Sequence, residues 1–383
     1  MDNENVGRYG IEAYFNDYLQ GQEGERQTRK DAAGRTIGGY DLGEKKIVNG
    51  ADIKLTIDRN IQKEVTRLLS ESIHEFRANK GSVVILDPKT GAVIAMVNYP
   101  DFDPNNFGDV YQIEKVSYAR YPNPAFDLLG MPVFVEDSVN GEELNYLGKK
   151  IKLRPATERE MGNIAITKYK YKDNFGPANY QNDAVSSLYE PGSVFKAITV
   201  SVGLDTGDIK PTDTYLDKGF VEIDKYKIKN VSSECLGRNT YAHALDWSCN
   251  VGMIDIVQKI GKALFYKYII DFGFGAKTNI TLDGEVHGKL PPYEKWSRTD
   301  LFTASFGQGL ITATPLQMAA AYVALANGGI YFQPYIVDSI TFGDGRVVKN
   351  APTPLRRVIK EETSKKIVAM LTEGASIGFA KKG

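Results

Sequence analysis

The chain has 383 residues, a formal net charge of −1 and 42% hydrophobic residues. This length and composition exclude a disordered or fibrous protein and allow two domains or one large one. Lys and Arg are interspersed among Asp and Glu, so the sequence predicts no nucleic-acid partner. No apolar run approaches the roughly 18 to 20 residues of a membrane span, and the first residues lack the pattern of a signal peptide.

Cysteine and histidine are too few and too scattered to predict a metal site. Cys235 and Cys249 permit one disulfide, and the sequence leaves open whether they pair. The three histidines have no ligand spacing; they are His74, His243 and His287. We therefore predict no metal, no cofactor and no histidine-based catalytic triad.

The first sixty residues change from a polar segment to regular structure. Residues 1–48 are polar and rich in glycine, and they resemble the end of a larger domain. Alternation of apolar and polar residues over 52–58 predicts a strand. Asp58 or Asn60 can then cap a helix that runs to about Ile73.

A hairpin signal follows this helix. Two β-rich runs, 81–86 and 92–97, flank the turn Asp87-Pro88-Lys89-Thr90-Gly91 and predict an antiparallel pair. Both runs are apolar, so we expect the pair to be central in a sheet covered by helices, which indicates an α+β fold. From 101 to 182 the pattern weakens and indicates an insertion or an elaborate surface loop.

The second half of the chain reads mainly as helices with short strands between them. The predicted elements are a helix from Ser193, a strand-like region over 219–228, helices over 241–247 and 251–261, a helix from Thr314-Pro315 to Asn327, strands near Ile336 and Val347, and a helix over 361–372.

The motif S-x-x-K occurs once, as Ser193-Val194-Phe195-Lys196, in the first turn of an apolar helix. A lysine buried there is expected to lose its proton easily, because burial disfavours the ammonium. A neutral amine one turn from a hydroxyl predicts acyl transfer by Ser193 with Lys196 as its base. The alternative is that Ser193 only caps the helix and that Lys196 extends its charge to water.

A second candidate lies 55 residues after Ser193, at Ser248-Cys249-Asn250, on a break between two helical segments. The Ser248 hydroxyl could relay a proton between Lys196 and a leaving amine. The Asn250 amide could bind a peptide-like substrate through its donor and its acceptor. The alternative for this triplet alone is an ordinary interhelical cap.

Together these motifs resemble those of class B penicillin-binding proteins, the peptidoglycan D,D-transpeptidases. Further stretches resemble that family in the same order; they include Leu86-Asp87-Pro88-Lys89-Thr90-Gly91, Tyr99-Pro100-Asp101-Phe102-Asp103-Pro104-Asn105, Ser305-Phe306-Gly307-Gln308-Gly309 and Thr314-Pro315-Leu316-Gln317-Met318. The resemblance favours the septal, cell-division branch over the elongation branch.

The resemblance implies a helix-flanked antiparallel sheet with an active site between it and an all-helical lobe. It implies that Ser193 is the nucleophile, Lys196 its base, Ser248 the proton relay and Asn250 a substrate ligand. The implied partners are peptidoglycan stem peptides, β-lactams, a glycosyltransferase and other divisome proteins. A full-length parent would act on the extracytoplasmic face of the bacterial membrane, through an anchor absent here.

The chain departs from the family pattern in three places. The catalytic K-T-G triplet is absent, because Lys89-Thr90-Gly91 is a hairpin turn and Lys277-Thr278-Asn279 lacks the glycine. We therefore expect a chain truncated before that triplet, with an incomplete sheet and little activity of its own. We expect 1–48 to be a remnant of the N-terminal pedestal domain, 49–383 the transpeptidase domain, and about 106–181 an insertion within it.

Two other functions remain open from the sequence. One is a penicillin-recognising hydrolase or sensor of the same fold. The other is a non-catalytic homologue that serves as a divisome scaffold. The four intact motif residues argue against a degenerate protein, whereas the missing third motif favours it.

Overall fold

The computed structural model describes residues 6–26, 44–45, 47–116, 132–172, 175–223, 225–378 and 381. Parts of the predicted pedestal remnant and of the predicted insertion lie outside these ranges. The α-helices are α1 (Gly10–Tyr14), α2 (Asn16–Leu19), α3 (Arg59–Phe76), α4 (Glu158–Met161), α5 (Asp183–Ser186), α6 (Lys196–Thr206), α7 (Tyr241–Asp246), α8 (Asn250–Ile260), α9 (Lys262–Asp271), α10 (Arg298–Ala304), α11 (Pro315–Ala326) and α12 (Glu361–Ile377).

The strands are short and spread along the whole chain. They are β1 (Glu25–Arg26), β2 (Glu44–Lys45), β3 (Asp52–Leu55), β4 (Gly81–Leu86), β5 (Val93–Tyr99), β6 (Gln112–Lys115), β7 (Phe134–Glu136), β8 (Glu142–Tyr146), β9 (Lys149–Pro155), β10 (Tyr169–Tyr171), β11 (Thr214–Asp217), β12 (Phe220–Ile223), β13 (Tyr226–Lys229), β14 (Gly237–Thr240), β15 (Ile330–Gln333), β16 (Val337–Thr341), β17 (Val347–Lys349) and β18 (Thr353–Arg357).

The chain divides into two compact units. The first contains Met1–Gln62, Val84–Met96 and Ala184–Gly383, and the second contains Lys63–Val83 and Val97–Asp183. Among the described residues, no helix is both long and apolar enough to cross a membrane.

The first unit is organised around α6, which lies within its largest hydrophobic core. Every α6 residue from Lys196 to Asp205 is buried, and α6 packs against α7, α8 and α12. A helix that is apolar on all sides is expected at the centre of a domain, so the predicted burial of this helix is confirmed. The helix ends at Gly207, whose positive φ of 82° is the left-handed conformation that glycine adopts without strain.

Two helices, α3 and α11, begin at residues whose side chains cap them. Asp58 Oδ1 accepts hydrogen bonds from the backbone N–H of Asn60 and Ile61, at 2.8 and 3.1 Å, where α3 begins. Thr314 and Gln317 form a reciprocal capping box at the start of α11. Both helices therefore begin where the sequence predicts.

The predicted hairpin is present as β4 and β5, and Lys89-Thr90-Gly91 lies in its turn. Its predicted place at the centre of a broad sheet is wrong for the described residues, where the two strands form a two-stranded sheet. The reason is that irregular segments satisfy the neighbouring backbone groups of β5. Val93 N–H donates to Tyr335 O at 2.8 Å, and Asp58 N–H donates to Ile94 O at 2.9 Å.

Other small sheets complete the first unit. Strand β16 lies between β17 and β3, antiparallel to both, which confirms the predicted strand pair near Ile336 and Val347. The pairs β11 with β14, β12 with β13 and β15 with β18 are also antiparallel. Helices with small antiparallel sheets give the α+β composition that the sequence predicts.

The second unit contains a closed five-stranded barrel in the order β10-β6-β8-β9-β7. Its interior holds six apolar or aromatic side chains, from Ile113, Phe134, Leu144, Leu153, Tyr169 and Tyr171. The sequence indicated an insertion or a surface loop here and gave no strands. The strands are short, and closure rather than a long hydrophobic pattern stabilises such a barrel, because it leaves no sheet edge unpaired.

Candidate functional site

The predicted nucleophile lies in a tight turn that precedes α6. Gly192–Phe195 is a 3₁₀ helix, and the α-helix begins at Lys196. Gly192 has a positive φ of 62°, which favours glycine at this position. Ser193 is exposed and caps neither helix by a side-chain hydrogen bond. The interpretation of Ser193 as only a helix cap is therefore wrong.

Lys196 is buried beside the second motif. Its side chain is 1% exposed, so the alternative in which it extends its charge to water is also wrong. Its Nζ donates to Ser248 Oγ at 2.8 Å and to the Ser248 carbonyl oxygen at 2.6 Å. Burial lowers the pKa of Lys196 to about 7, which makes a neutral amine available near neutral pH.

Ser248 lies on the break between α7 and α8 with a positive φ of 58°. A non-glycine residue in this conformation is uncommon and marks a position fixed by its surroundings. Here the surroundings are the two hydrogen bonds from Lys196. The predicted association of Lys196 with Ser248 is thus present in the structure.

Asn250 begins α8 on the far side of the disulfide-bonded Cys249. Its side-chain N–H donates to the backbone carbonyl of Lys229 at 2.8 Å. Asn250 is not among the residues that line the cavity beside Ser193. Its predicted role as a substrate ligand stays a prediction.

A cavity of about 370 Å³ opens beside Ser193. Ser193, Ser248 and Asp246 supply its polar side chains. The other lining residues are apolar or aromatic, except for one glycine. They are Val194, Ala197, Leu245, Tyr322, Met370, Leu371, Gly374 and Ala375. A hydroxyl at the mouth of an apolar cavity can attack an acyl group that the cavity shields from water.

Several residues that support the nucleophile turn were not predicted as functional. Gly192 N–H donates to Gly307 O at 2.8 Å, and Tyr322 Oη donates to Val194 O at 2.7 Å. The Lys196 ammonium group lies 6.0 Å from the ring centre of Phe306. Sequence alone gave only a resemblance for Ser305-Phe306-Gly307, because these contacts join segments more than 100 residues apart.

Cys235 and Cys249 form a disulfide, which settles the pairing that the sequence left open. Both side chains are fully buried. Cys249 is the middle residue of the Ser248-Cys249-Asn250 motif. The covalent bond therefore fixes this motif to the short 3₁₀ helix Ser233–Cys235.

Loss of this disulfide is expected to lower the free energy of unfolding by about 3 kcal/mol, the loop-entropy value for a separation near its 14 residues. The measurement is urea unfolding of the oxidised protein and of the double variant Cys235→Ala, Cys249→Ala. Reductant should destabilise only the unsubstituted protein. A difference below about 0.5 kcal/mol between the two oxidised samples would contradict this expectation.

Two models of known protein families match most of the chain. Residues 81–381 match the model of the penicillin-binding protein transpeptidase domain, and residues 1–55 match that of the penicillin-binding protein dimerisation domain. Stage V sporulation protein D of Bacillus subtilis is 30% identical over 95% of this chain and 47% of its own length. Peptidoglycan D,D-transpeptidase FtsI of Escherichia coli K12 is 28% identical over 98% of this chain and 50% of its own. The chain thus spans about half the length of these relatives.

Solved structures agree on the fold. A peptidoglycan synthetase from Bifidobacterium adolescentis matches with a TM-score of 0.71 at 24% identity, over 98% of this chain and 56% of that one. Penicillin-binding protein 3 of Mycobacterium tuberculosis, in complex with aztreonam, matches with a TM-score of 0.68 at 24% identity, over 97% of this chain and 64% of that one. Sequence motifs, family models and fold together show that the chain belongs to the class B penicillin-binding proteins and carries their transpeptidase domain.

Proposed function

We propose that this protein is a peptidoglycan D,D-transpeptidase that cross-links stem peptides through an acyl-enzyme at Ser193. The observation that carries the proposal is the buried Lys196, hydrogen-bonded to Ser248 Oγ and placed in the turn that follows Ser193. An amine with a pKa of about 7 is suited to take a proton from a hydroxyl and return it at neutral pH. The names of the D,D-transpeptidase relatives support the choice of substrate.

In the proposed reaction, the Ser193 hydroxyl attacks the penultimate D-alanine carbonyl of a stem peptide while neutral Lys196 accepts its proton. Ser248, hydrogen-bonded to Lys196, passes a proton to the nitrogen of the leaving D-alanine. The N-terminal end of α6, which begins at Lys196, carries a partial positive charge that favours the negative charge developing on the reacting oxygen. Asn250 is proposed to bind the peptide backbone of the donor.

We propose further assignments for the domains and the cellular role of this protein. Residues 1–48 are assigned to the pedestal domain and 49–383 to the transpeptidase domain, with an insertion at about 106–181. The protein would act in septal wall synthesis on the extracytoplasmic face of the membrane, with a glycosyltransferase and other divisome proteins as partners. The septal assignment is supported by the motifs Ser248-Cys249-Asn250-Val251-Gly252-Met253 and Phe306-Gly307-Gln308-Gly309. A protein of related fold is known in complex with aztreonam, and we propose that β-lactams acylate Ser193 in this chain.

The test is covalent labelling of the protein, expressed over its complete coding sequence, with a fluorescent penicillin. We expect one adduct, located at Ser193 by peptide mapping, and none in Ser193→Ala. A folded protein that forms no adduct would overturn the proposal and favour the scaffold alternative. Rapid release of hydrolysed penicillin, without transfer of an acyl donor to an amine, would favour the hydrolase alternative.

The rate of this labelling is expected to rise with pH and then level off near pH 7. Below its pKa of about 7 Lys196 is protonated and cannot accept the Ser193 proton, so the rate should fall about tenfold per pH unit there. Above that pKa the amine is neutral and the rate should be constant. The measurement is the second-order acylation rate constant from pH 5.5 to 9, with circular dichroism at each pH as the control for folding. A rate that does not change between pH 5.5 and 9 would contradict this assignment of Lys196.

A further inference from the structure

Asp246 is an acidic residue in the cavity that the proposed reaction does not use. It is the last residue of α7, two positions before Ser248, and it lines the same cavity as Ser193 and Ser248. The position of Asp246 is set by α7, which ends at the break that carries Ser248. Asp246 is therefore close to the reacting groups without belonging to either motif.

The Asp246 residue is largely buried, and its carboxylate has no protein partner. The residue is 9% exposed. Within the described part of the chain its carboxylate takes part in no hydrogen bond or ion pair. Its oxygens are not among the fully buried atoms that lack a partner, so solvent in the cavity reaches them. Burial and then the nearby Glu373 charge raise the pKa of Asp246, and His243 opposes them. A carboxylate in this state is stabilised by any cation that enters the cavity.

Helix α12 leaves space for this carboxylate. A Cβ atom at Gly374 would lie 2.8 Å from Asp246 Oδ1, and one at Gly378 would lie 2.2 Å from the Asp246 carbonyl oxygen. Glycine at position 374 of α12 and at position 378 just after it thus allows this segment to cover Asp246, while Gly374 also lines the cavity. The cavity combines one acidic side chain, two serine hydroxyls and a mainly apolar wall, which suits an aliphatic chain that ends in an amine.

We propose that Asp246 binds the ammonium group of the acceptor, the primary amine that receives the acyl group from Ser193. This inference rests on the proposed function and extends it to the second substrate. A charge-assisted hydrogen bond from the ammonium to Asp246 holds the amine in the cavity that also contains the acylated serine.

The transfer step balances with the groups present. The acceptor ammonium first gives one proton to the Asp246 carboxylate, which later releases it to water. The neutral nitrogen attacks the ester carbonyl carbon of acyl-Ser193, a C–N bond forms and the bond from that carbon to Ser193 Oγ breaks. The second nitrogen proton passes through Lys196 to Ser193 Oγ, which restores the hydroxyl. The products are the amide, free serine and one proton.

The same charge predicts a specificity. An acceptor whose amine adjoins a free carboxylate would place that carboxylate near Asp246, and the like charges repel. An acceptor with an amidated neighbouring carboxyl carries only the positive charge. Asp246 therefore favours cationic amines over zwitterionic ones.

The test compares two acceptors with one carbon skeleton, D-alaninamide and D-alanine, in transfer from an N-acyl-D-alanyl thioester catalysed by the protein expressed over its complete coding sequence. Each transfer rate is divided by the rate at which the protein hydrolyses the same thioester. Asp246→Asn should reduce the preference for D-alaninamide about tenfold, the size expected for one charge-assisted hydrogen bond. Glu362→Gln makes the same change in net charge on an exposed residue near the start of α12, which does not act on the Asp246 carboxylate, and should leave the preference within about twofold.

Penicillin labelling at Ser193 reports an intact site in each variant. If Asp246→Asn is not labelled, Asp246→Ser, which is smaller and cannot crowd Gly374, replaces it. An unchanged preference in a labelled variant would overturn the assignment of Asp246 alone. Absence of labelling in the unsubstituted protein would instead overturn the proposed function, and with it this inference.

Discussion

Replacing Lys196 with methionine should slow the acylation of Ser193 by a fluorescent penicillin by about 10²- to 10⁴-fold, the range for loss of a general base. Methionine keeps the length of the side chain and suits a buried position, so the fold should persist. What it removes is the amine that lies 2.8 Å from Ser248 Oγ. The measurement is the second-order rate constant of labelling under single-turnover conditions at pH 8.

Lys168→Met is the matched control for this substitution. Lys168 is also buried, at 2% exposure, and its Nζ donates to the backbone carbonyl of Asn163 at 2.6 Å. It lies in the second compact unit and does not line the cavity. Its replacement should lower stability and leave the acylation rate unchanged. Equal losses of rate in the two variants would show that Lys196 acts only through folding.

Replacing Ser248 with alanine should slow the acylation by about 10²-fold or more, because the proton relay to the leaving nitrogen is lost. The variant also removes one of the two acceptors that bind the Lys196 amine. A hydrogen bond to the charged form raises the pKa of a lysine, so its loss should move the midpoint of the pH–rate profile to lower pH. The measurement is the full pH–rate profile of the variant.

Ser201→Ala provides the control for Ser248. Ser201 is a buried serine on α6 whose hydroxyl donates to the Ile198 carbonyl at 2.7 Å. Its replacement should change neither the rate nor the midpoint. A Ser248→Ala profile that coincides with that of the unsubstituted protein would exclude Ser248 from the reaction.

Much of the fold could be predicted because local signals and tertiary packing agree. The α6 segment is apolar on every side, and it is the buried centre of the first unit. Asp58 and Thr314 cap the helices that the sequence places after them. The hairpin of β4 and β5 follows from two β-rich runs around a turn. In these segments a single pattern decides the structure.

The remaining features depend on contacts between distant segments. The barrel of the second unit is closed by β10 pairing with both β6 and β7, which no local pattern indicates. Ser193 precedes the α-helix instead of beginning it, because Gly192 bonds to Gly307 and fixes a 3₁₀ turn. No sequence pattern indicates a role for Asp246, because an aspartate at a helix end is common and its burial depends on α12, which is distant in sequence.

Position 307 is restricted to glycine by the space around it and by its backbone conformation, although Gly307 has no side chain that could take part in the reaction. A Cβ atom there would lie 2.5 Å from the Gly192 carbonyl oxygen and 2.7 Å from Phe195 Cβ, and the position has a φ of +73°. Any side chain would push the turn that carries Ser193 away from its present path. Mutational scans should therefore find position 307 closed to substitution, whereas a side chain that lines the cavity can change without moving the backbone of Ser193.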